Sequence, residues 1–214
     1  MIEIKTLLTI AISVSLVNNM VLARFLGLCP FIGVTKKTSS AVGMGAAVTF
    51  VMTLASVVTW LLFTYFLKPG DQNVIGAFSG YVRENGLVGV LRTTSYILVI
   101  AALVQLVEMI IKKSSPTLYR ALGIYLPLIT TNCAVMGVAL LNTTDARVPL
   151  TLLQAATQGF FAGVGFTIAM LLMSAIREQL EMAEVPEALK GAPIAFVCTG
   201  LMAIAFMGFS GMVG

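Results

Sequence analysis

The chain alternates between long apolar segments and short polar connections. Six segments are apolar enough and long enough to cross a bilayer, which takes about 20 residues of helix. They cover residues 6–28, 41–67, 92–111, 118–141, 150–176 and 192–213. None has the strict apolar and polar alternation of a barrel strand. The pattern therefore predicts an all-α integral membrane protein with six transmembrane helices, folded as a single polytopic domain over residues 1–214.

Composition supports this prediction and narrows the chemistry. Hydrophobic residues make up 58% of the 214 residues and charged residues only 10%, whereas a soluble domain carries about 25% charged residues. The chain has no histidine, which excludes a His-ligated haem, a Rieske-type centre, an HExxH zinc site and a Ser-His-Asp triad within it. The net charge of +4 lies in small groups between apolar segments, so we attribute it to membrane-protein loops and not to nucleic-acid binding.

The distribution of Lys and Arg over the loops predicts the orientation of the chain. The first, third and fifth loops with their flanks hold Lys36, Lys37, Lys112, Lys113, Arg120, Arg177 and Lys190, and the opposite side holds Lys5, Lys68, Arg83, Arg92 and Arg147. Because compact basic clusters favour the cytoplasm, we place the odd-numbered loops there and both termini outside. The apolar N-terminus lacks the A-x-A cleavage site of a signal peptide, so we expect it to form the first span.

A cysteine motif occurs twice, in LGLCPFIGV (26–34) and TTNCAVMGV (131–139). In each copy the cysteine, Cys29 or Cys133, stands four residues before a Gly-Val pair. The copies fall on the first and fourth predicted spans and divide the chain into halves of three spans, about 1–111 and 112–214. An odd number of spans per half forces the halves into opposite orientations. This inverted-repeat arrangement places functional sites near the midplane on interrupted helices.

Both cysteine-bearing spans contain helix-breaking residues, so we expect helices 1 and 4 to be broken and to meet near the midplane. Pro30 follows Cys29 directly and lacks the amide donor that a continuing helix needs, and Pro127 precedes the second cysteine. The hydrogen-bonding residues near the two breaks are Asn18, Asn19, Thr130, Thr131 and Asn132. Such side chains can satisfy broken backbone inside a bilayer or line an ion path, or they can simply kink and join helices. Both interpretations stay open.

The paired cysteines are the strongest candidates for chemistry. Two thiols in matching contexts on symmetry-related broken helices would both approach the pseudo-two-fold axis. A disulfide could form there, but thiolates are preferred ligands of iron–sulfur clusters, and a [2Fe–2S] cluster usually takes four of them. This chain would supply Cys29 and Cys133, and a partner built in the same way would supply the other two. Cys198 lacks the motif, and we expect it to pack as a small hydrophobic residue.

Two charged residues within predicted spans have two interpretations each. Arg24 could balance the negative charge of a thiolate cluster, or its long side chain could extend towards the membrane surface. Glu108 could line an ion path, or it could form an ion pair with Lys112 one helical turn away.

Three stretches are specific enough to suggest a family. VNNMVLARFLGLCPFIGVTKK (17–37), LYRALGIYLPLITTNCAVMGVALLN (118–142) and GLMAIAFMGFSG (200–211) resemble the A subunits of Rnf complexes, also called Rsx, the ion-translocating ferredoxin:NAD+ oxidoreductases of bacterial membranes. The E subunit of the sodium-translocating NADH:quinone reductase represents a sister family and is the alternative, although Asn18-Asn19 and Thr131 look more like the Rnf version. The loop at about 68–91 is longer than in the shortest members and has no assigned function.

The resemblance implies a function for the paired cysteines. Cys29 and Cys133 would ligate an intramembrane [2Fe–2S] cluster that two cysteines of the paralogous, oppositely inserted E subunit complete. Its reduction would be coupled to Na+ or H+ movement in the bacterial cytoplasmic (inner) membrane. This chain has no nucleotide-binding or flavin-attachment motif, so nucleotides and flavins would belong to the other subunits, of the B, C, D and G types. The residues expected around the cluster or along the ion path are Asn18, Asn19, Arg24, Pro30, Gly33, Glu108, Thr130, Thr131, Asn132 and Gly137.

Two functions from other classes stay open at the level of the sequence. A secondary transporter would use the same broken helices to bind a small substrate through Asn18, Asn19, Thr131 and Asn132. It would work without iron and tolerate Cys→Ser at both motif cysteines. A scaffold protein without a cofactor would lose complex formation, but no chromophore, when those cysteines change.

Overall fold

The computed structural model describes residues 2–67, 88–114, 128–129, 131–144 and 151–209, and all regular structure within these ranges is helical. The α-helices are α1 (Ile2–Ile12), α2 (Leu28–Val34), α3 (Thr38–Leu62), α4 (Val88–Ser114), α5 (Cys133–Thr144), α6 (Leu152–Glu181) and α7 (Ala192–Met207). A π-helical turn, Ser13–Val17, extends α1, and another, Phe63–Leu67, extends α3. A 3-10 turn, Glu187–Leu189, precedes α7.

Three helical segments are long and apolar enough to cross a membrane, namely Thr38–Tyr65, Thr93–Ile110 and Leu152–Glu181. They correspond to the second, third and fifth predicted spans. The shorter apolar helices are Ile4–Val17, Cys133–Asn142 and Ala192–Met207. The prediction of an all-α membrane protein is therefore confirmed, whereas six complete spans in an inverted repeat stay a prediction.

The helix of the first predicted span, 6–28, is interrupted, but the position predicted for the break, at Pro30, is wrong. The helix that begins as α1 ends at Val17, and residues 18–27 form turns before α2 begins. The break therefore precedes Cys29 and does not occur at the proline that follows it. Pro30 lies in the first turn of α2, where a missing amide donor costs nothing because that donor would have no helical partner.

The side chain of Asn19 explains why the helix breaks at this point. Its Oδ1 accepts hydrogen bonds from the backbone amides of Val21 (3.0 Å) and Leu22 (3.3 Å), an arrangement that competes with helical hydrogen bonding. Its Nδ2 donates to the carbonyl of Gly165 on α6 at 2.8 Å and to that of Ser15 at 3.0 Å. Asn19 is fully buried, so protein groups satisfy the irregular backbone as a bilayer requires. Asn19 therefore connects the end of the first helix to α6, as the helix-joining interpretation of this residue expects.

Helices α3 and α6 pack antiparallel through small residues at the centre of the fold. A Cβ atom on Gly45 would lie 2.6 Å from Cγ2 of Thr167, and one on Gly163 would lie 2.5 Å from Cα of Thr49. Between membrane helices such close approach gains packing contacts that larger side chains would prevent. The side chains buried around this contact include Met44, Val48, Met52, Phe166, Met170 and Met173.

Candidate metal centre

Cys29 lies in the first turn of α2, and its side chain is exposed. Gly27 precedes this helix with a φ of +81°, in the left-handed region that residues with a Cβ atom rarely adopt. The glycine lets the chain turn sharply out of the 18–27 segment into α2. This turn presents the thiol of Cys29 at the surface of the chain.

Cys133 is the first residue of α5 and is also exposed. The predicted break before it is observed, since Thr131 and Asn132 are not helical. The Oδ1 of Asn132 accepts a hydrogen bond from the backbone amide of Ala134 at 3.0 Å and so caps the new helix. With 12 residues, α5 rises about 18 Å, well short of the roughly 30 Å of a hydrocarbon core.

The two cysteine-bearing segments touch each other just before their cysteines. A Cβ atom on Gly27 would lie 2.8 Å from Oδ1 of Asn132 and 3.1 Å from Cβ of Ala134. One turn into α5, a Cβ atom on Gly137 would lie 2.6 Å from Cδ1 of Leu26. These glycines therefore let the end of the 18–27 segment pack directly onto the start of α5. The two breaks meet within one chain, and their depth in the bilayer stays a prediction.

A largely apolar cavity of about 460 Å³ lies beside Cys133. Its apolar walls come from Leu26, Ile97, Ile100, Ala101, Met136 and Leu140. Thr131 and Asn132 add polar lining next to the thiol. The Nδ2 atom of Asn132 is buried and has no hydrogen-bond partner in the part of the chain that the structure describes. A buried amide donor beside a thiol suits an anionic occupant, such as a thiolate-bound cluster.

The two motif cysteines of this chain are half of the thiolate ligands that a [2Fe–2S] cluster usually has. Cys29 and Cys133 are both free thiols, and the contact at Gly27 brings the starts of their helices together. Among the described residues there is no group of three or more potential metal ligands. Because such a cluster usually takes four thiolates, two exposed cysteines fit it only where a second protein completes the set.

Three other candidate residues lie in the 18–27 segment or in α2. Asn18 and Arg24 are exposed on the 18–27 segment, and Asn18 donates from Nδ2 to the hydroxyl of Ser13 at 3.2 Å. Arg24 is not helical, because the preceding helix ends at Val17, and its position within the bilayer stays a prediction. Gly33 is exposed, and a Cβ atom there would meet nothing within 4 Å.

The remaining candidates lie farther from the contact or outside the described residues. Glu108 is half-buried on α4, about two turns beyond Ala101, which borders the cavity. Cys198 is half-buried against the apolar core, as expected of a small hydrophobic residue. Thr130 and most of the loop at 68–91 lie outside the described residues.

Sequence reasoning missed Arg177 and Glu178 as supports of the first cysteine segment. The Nη1 atom of Arg177 donates to the carbonyl of Ile32 at 2.7 Å and to the hydroxyl of Thr35 at 3.2 Å, at the end of α2. Glu178 accepts from the backbone amide and the hydroxyl of Thr38 at the start of α3. A cation therefore stabilises the end of one helix and an anion the start of the next. In the sequence, these two residues only mark the point where an apolar segment becomes charged, so they give no sign of these contacts.

Comparison with known proteins agrees with the resemblance carried by the motifs. The family described as "Rnf-Nqr subunit, membrane protein" matches residues 7–213, nearly the whole chain. The chain belongs to the Rnf-Nqr family. The recognition of this family from the cysteine segments is therefore confirmed.

Several Rnf-Nqr proteins share about half of their residues with this chain. It is 54% identical over 198 residues to the A subunit of the ion-translocating oxidoreductase complex of Proteus mirabilis, covering 92% of this chain and 93% of that protein. It is 54% identical over 207 residues to the A subunit of the Na(+)-translocating ferredoxin:NAD(+) oxidoreductase complex of Acetobacterium woodii, covering 97% and 98%. The A subunit of the ion-translocating oxidoreductase complex of an Azoarcus species is 51% identical over 205 residues, covering 96% of both chains.

Proposed function

We propose that this chain is the A subunit of an ion-translocating ferredoxin:NAD+ oxidoreductase of the Rnf type. The similar proteins from Proteus mirabilis and Acetobacterium woodii are both named as A subunits of ion-translocating oxidoreductase complexes. The prediction of a membrane subunit of such a translocase is thereby confirmed. The proposal adds a paralogous E-type partner, further subunits of the B, C, D and G types, and a location in the bacterial cytoplasmic membrane with both termini outside.

Within that complex, Cys29 and Cys133 hold an intramembrane [2Fe–2S] cluster, and two cysteines of the paralogous subunit complete its ligand set. The observation that supports this proposal is the contact of Gly27 with Asn132 and Ala134, which brings together two helix starts that each present an exposed thiol. Because both thiols are exposed, a second subunit can reach them. A partner with matching thiols makes both of them ligands.

When bound, the cluster supplies a one-electron centre that links redox groups on the two sides of the membrane. The surrounding residues of this chain adjust its properties. The buried Nδ2 donor of Asn132 favours negative charge on neighbouring sulfur atoms, which raises the reduction potential of such a group. Ile97 and Ile100 of α4 line the same cavity as Cys133, and their apolar side chains limit access of water.

The proposal includes coupling of electron transfer to Na+ or H+ movement. An electron added to a low-dielectric core is costly unless a cation approaches, so redox state and cation occupancy shift each other's equilibrium. Potentiometric titration of the complex in proteoliposomes tests this link. The midpoint reduction potential of the cluster should shift when Na+ concentration, pH or membrane potential changes. A midpoint that ignores all three would contradict the coupling.

Iron content, acid-labile sulfide and the reduced-state EPR spectrum of the purified complex test the ligand assignment. Cys29→Ala and Cys133→Ala should each lose the cluster signal and its iron, because the remaining three thiolates no longer complete the ligand set. Cys198→Ala is the matched control and should keep both, since this residue packs against the apolar core. Size-exclusion chromatography establishes that each variant still assembles.

An anaerobically prepared wild-type complex that assembles without iron would contradict the cluster and favour a secondary transporter. An unchanged EPR signal in either motif variant would remove that cysteine from the ligand set. If both variants lose assembly while the wild type has no chromophore, the chain is a scaffold protein.

A further inference from the structure

A second cavity, of about 480 Å³, lies towards the opposite end of α2 from Cys29. The α2–α3 connection, the end of α6 and the segment that leads into α7 border it. Its charged lining consists of Lys36, Arg177, Glu181 and Lys190. Three cationic groups against one carboxylate leave the cavity with a net positive charge. Such a site favours an anion.

Arg177 is already held in a position from which it can bind a ligand. Among the described residues only its Nη1 atom is engaged, with the carbonyl of Ile32 and the hydroxyl of Thr35. The Nε and Nη2 donors form the other side of the planar guanidinium, a fork that can bind two oxygens of a phosphate. Because the side chain is already ordered, binding costs it little further conformational entropy.

The cavity continues into an exposed apolar surface. Its apolar lining residues are Leu180, Ala183, Val185 and Ile194. Ile194 lies in the first turn of α7, and Val197, Leu201 and Ile204 follow it, each more than half exposed. Intervals of three and four residues place these side chains on one face of the helix. We call this face, Ile194, Val197, Leu201 and Ile204, the α7 strip.

We propose that this cavity binds the phosphate headgroup of an anionic phospholipid, whose acyl chains lie along the α7 strip. The positive charge selects an anion, and the strip selects one with hydrocarbon attached, which inorganic phosphate lacks. Basic cavities between membrane helices are suited to such headgroups. The inference is independent of the cluster, since neither Cys29 nor Cys133 borders this cavity.

A bound lipid would stabilise the helix that carries Cys29. Arg177 contacts the end of α2 through Ile32 and Thr35, and a headgroup on its other side would restrain the guanidinium further. We therefore expect lipid binding to raise the thermal unfolding midpoint of the complex. The unfolding midpoint is therefore a measure of lipid binding that does not depend on electron transfer.

The experiment uses the purified complex in micelles that contain phosphatidylcholine. Separate samples are titrated with phosphatidylglycerol, with additional phosphatidylcholine or with inorganic phosphate. Phosphatidylglycerol should raise the unfolding midpoint in a saturable manner, and the other two should not. K36Q/K190Q should weaken the apparent affinity for phosphatidylglycerol about tenfold or more, because it removes two cations at the headgroup. The matched control K37Q/K113Q removes two exposed lysines that do not border the cavity and should bind like the wild type.

Native mass spectrometry of the same preparations measures retained lipid directly, and K36Q/K190Q should retain less phosphatidylglycerol than the control. Equal stabilisation by phosphatidylcholine would overturn the proposal, and equal stabilisation by phosphate would replace it with a free-anion site. Unchanged affinity in K36Q/K190Q would also overturn it. If that variant loses a protein subunit but binds phosphatidylglycerol normally, the cavity is a protein interface.

Discussion

At the scale of single residues, glycines determine where the two cysteines stand. Gly27 combines a left-handed backbone with direct contact to Asn132, and Gly137 accepts the side chain of Leu26. The glycine of the first motif differs, because Gly33 faces open space. The two copies of the motif therefore share a spacing but not an environment. Their similarity in sequence does not extend to every contact.

The first prediction concerns Gly27. Gly27→Ala should lower the free energy of unfolding by at least about 1 kcal/mol, because an L residue is disfavoured in the left-handed region. Its Cβ atom would also lie 2.8 Å from Oδ1 of Asn132. The thermal unfolding midpoint and the iron content of the purified complex should both fall. Gly43→Ala, whose Cβ atom meets nothing within 4 Å, is the control. A stable, iron-replete Gly27→Ala complex would show that this contact does not organise the site.

At the scale of helices, the long helix α6 supports both sites. It begins at a capping box, in which the Thr151 hydroxyl accepts from the backbone of Gln154 and the Gln154 side chain accepts from the backbone of Thr151. It ends at Glu181, beyond the predicted span, because charged residues end a membrane segment without ending a helix. This extension carries Arg177 to the end of α2 and to the basic cavity.

The second prediction concerns the packing of α6 on α3. Gly163→Ala should cost about 1–3 kcal/mol, because overpacking forces the backbones apart. The new Cβ atom would lie 2.5 Å from Cα of Thr49, a backbone atom that cannot move alone. Gly200→Ala on α7 meets nothing within 4 Å and is the matched control. A lower thermal midpoint is expected for the first variant only, and equal midpoints would refute close α3–α6 packing as a source of stability.

At the scale of the whole molecule, Lys36 and Lys190 border one cavity, so the first and fifth loops lie at the same end of the protein. The count of basic residues placed both loops on one side, and the structure agrees with that grouping. The meeting of Gly27 with Asn132 joins the two halves of the chain at their breaks. The N-terminal end of α2 therefore lies beside the break before Cys133, and its C-terminal end lies beside the basic cavity, so both ends are next to the second half of the chain.

The third prediction concerns orientation. Because basic loops favour the cytoplasm, alkaline phosphatase fused after Gly214 should be active, whereas green fluorescent protein at the same position should be dark. Fusions after Glu184, in the fifth loop, should show the reverse pattern. Fluorescence from the C-terminal fusion, with an inactive phosphatase, would place the C-terminus in the cytoplasm and contradict the predicted orientation.

Part of the candidate site was predictable because its signals are local. Cys29 and Cys133 stand out by spacing alone, and the start of the helix at Cys133 follows from the capping residue Asn132 beside it. The position of the first break was not predictable. Pro30 is the obvious helix breaker in the sequence, yet the break depends on Asn19, whose side chain bonds to Gly165 on a helix 146 residues away.

By itself, the sequence determined the membrane class, the paired cysteines and the family. Hydropathy depends on each residue's own chemistry, and motifs depend on residues that are near neighbours in the chain. Only the tertiary structure decided that the two breaks touch, that Arg177 supports the end of α2, and that a basic cavity opens onto the α7 strip. Each of these features arises from packing between distant segments, and such packing leaves no periodic trace in either segment alone.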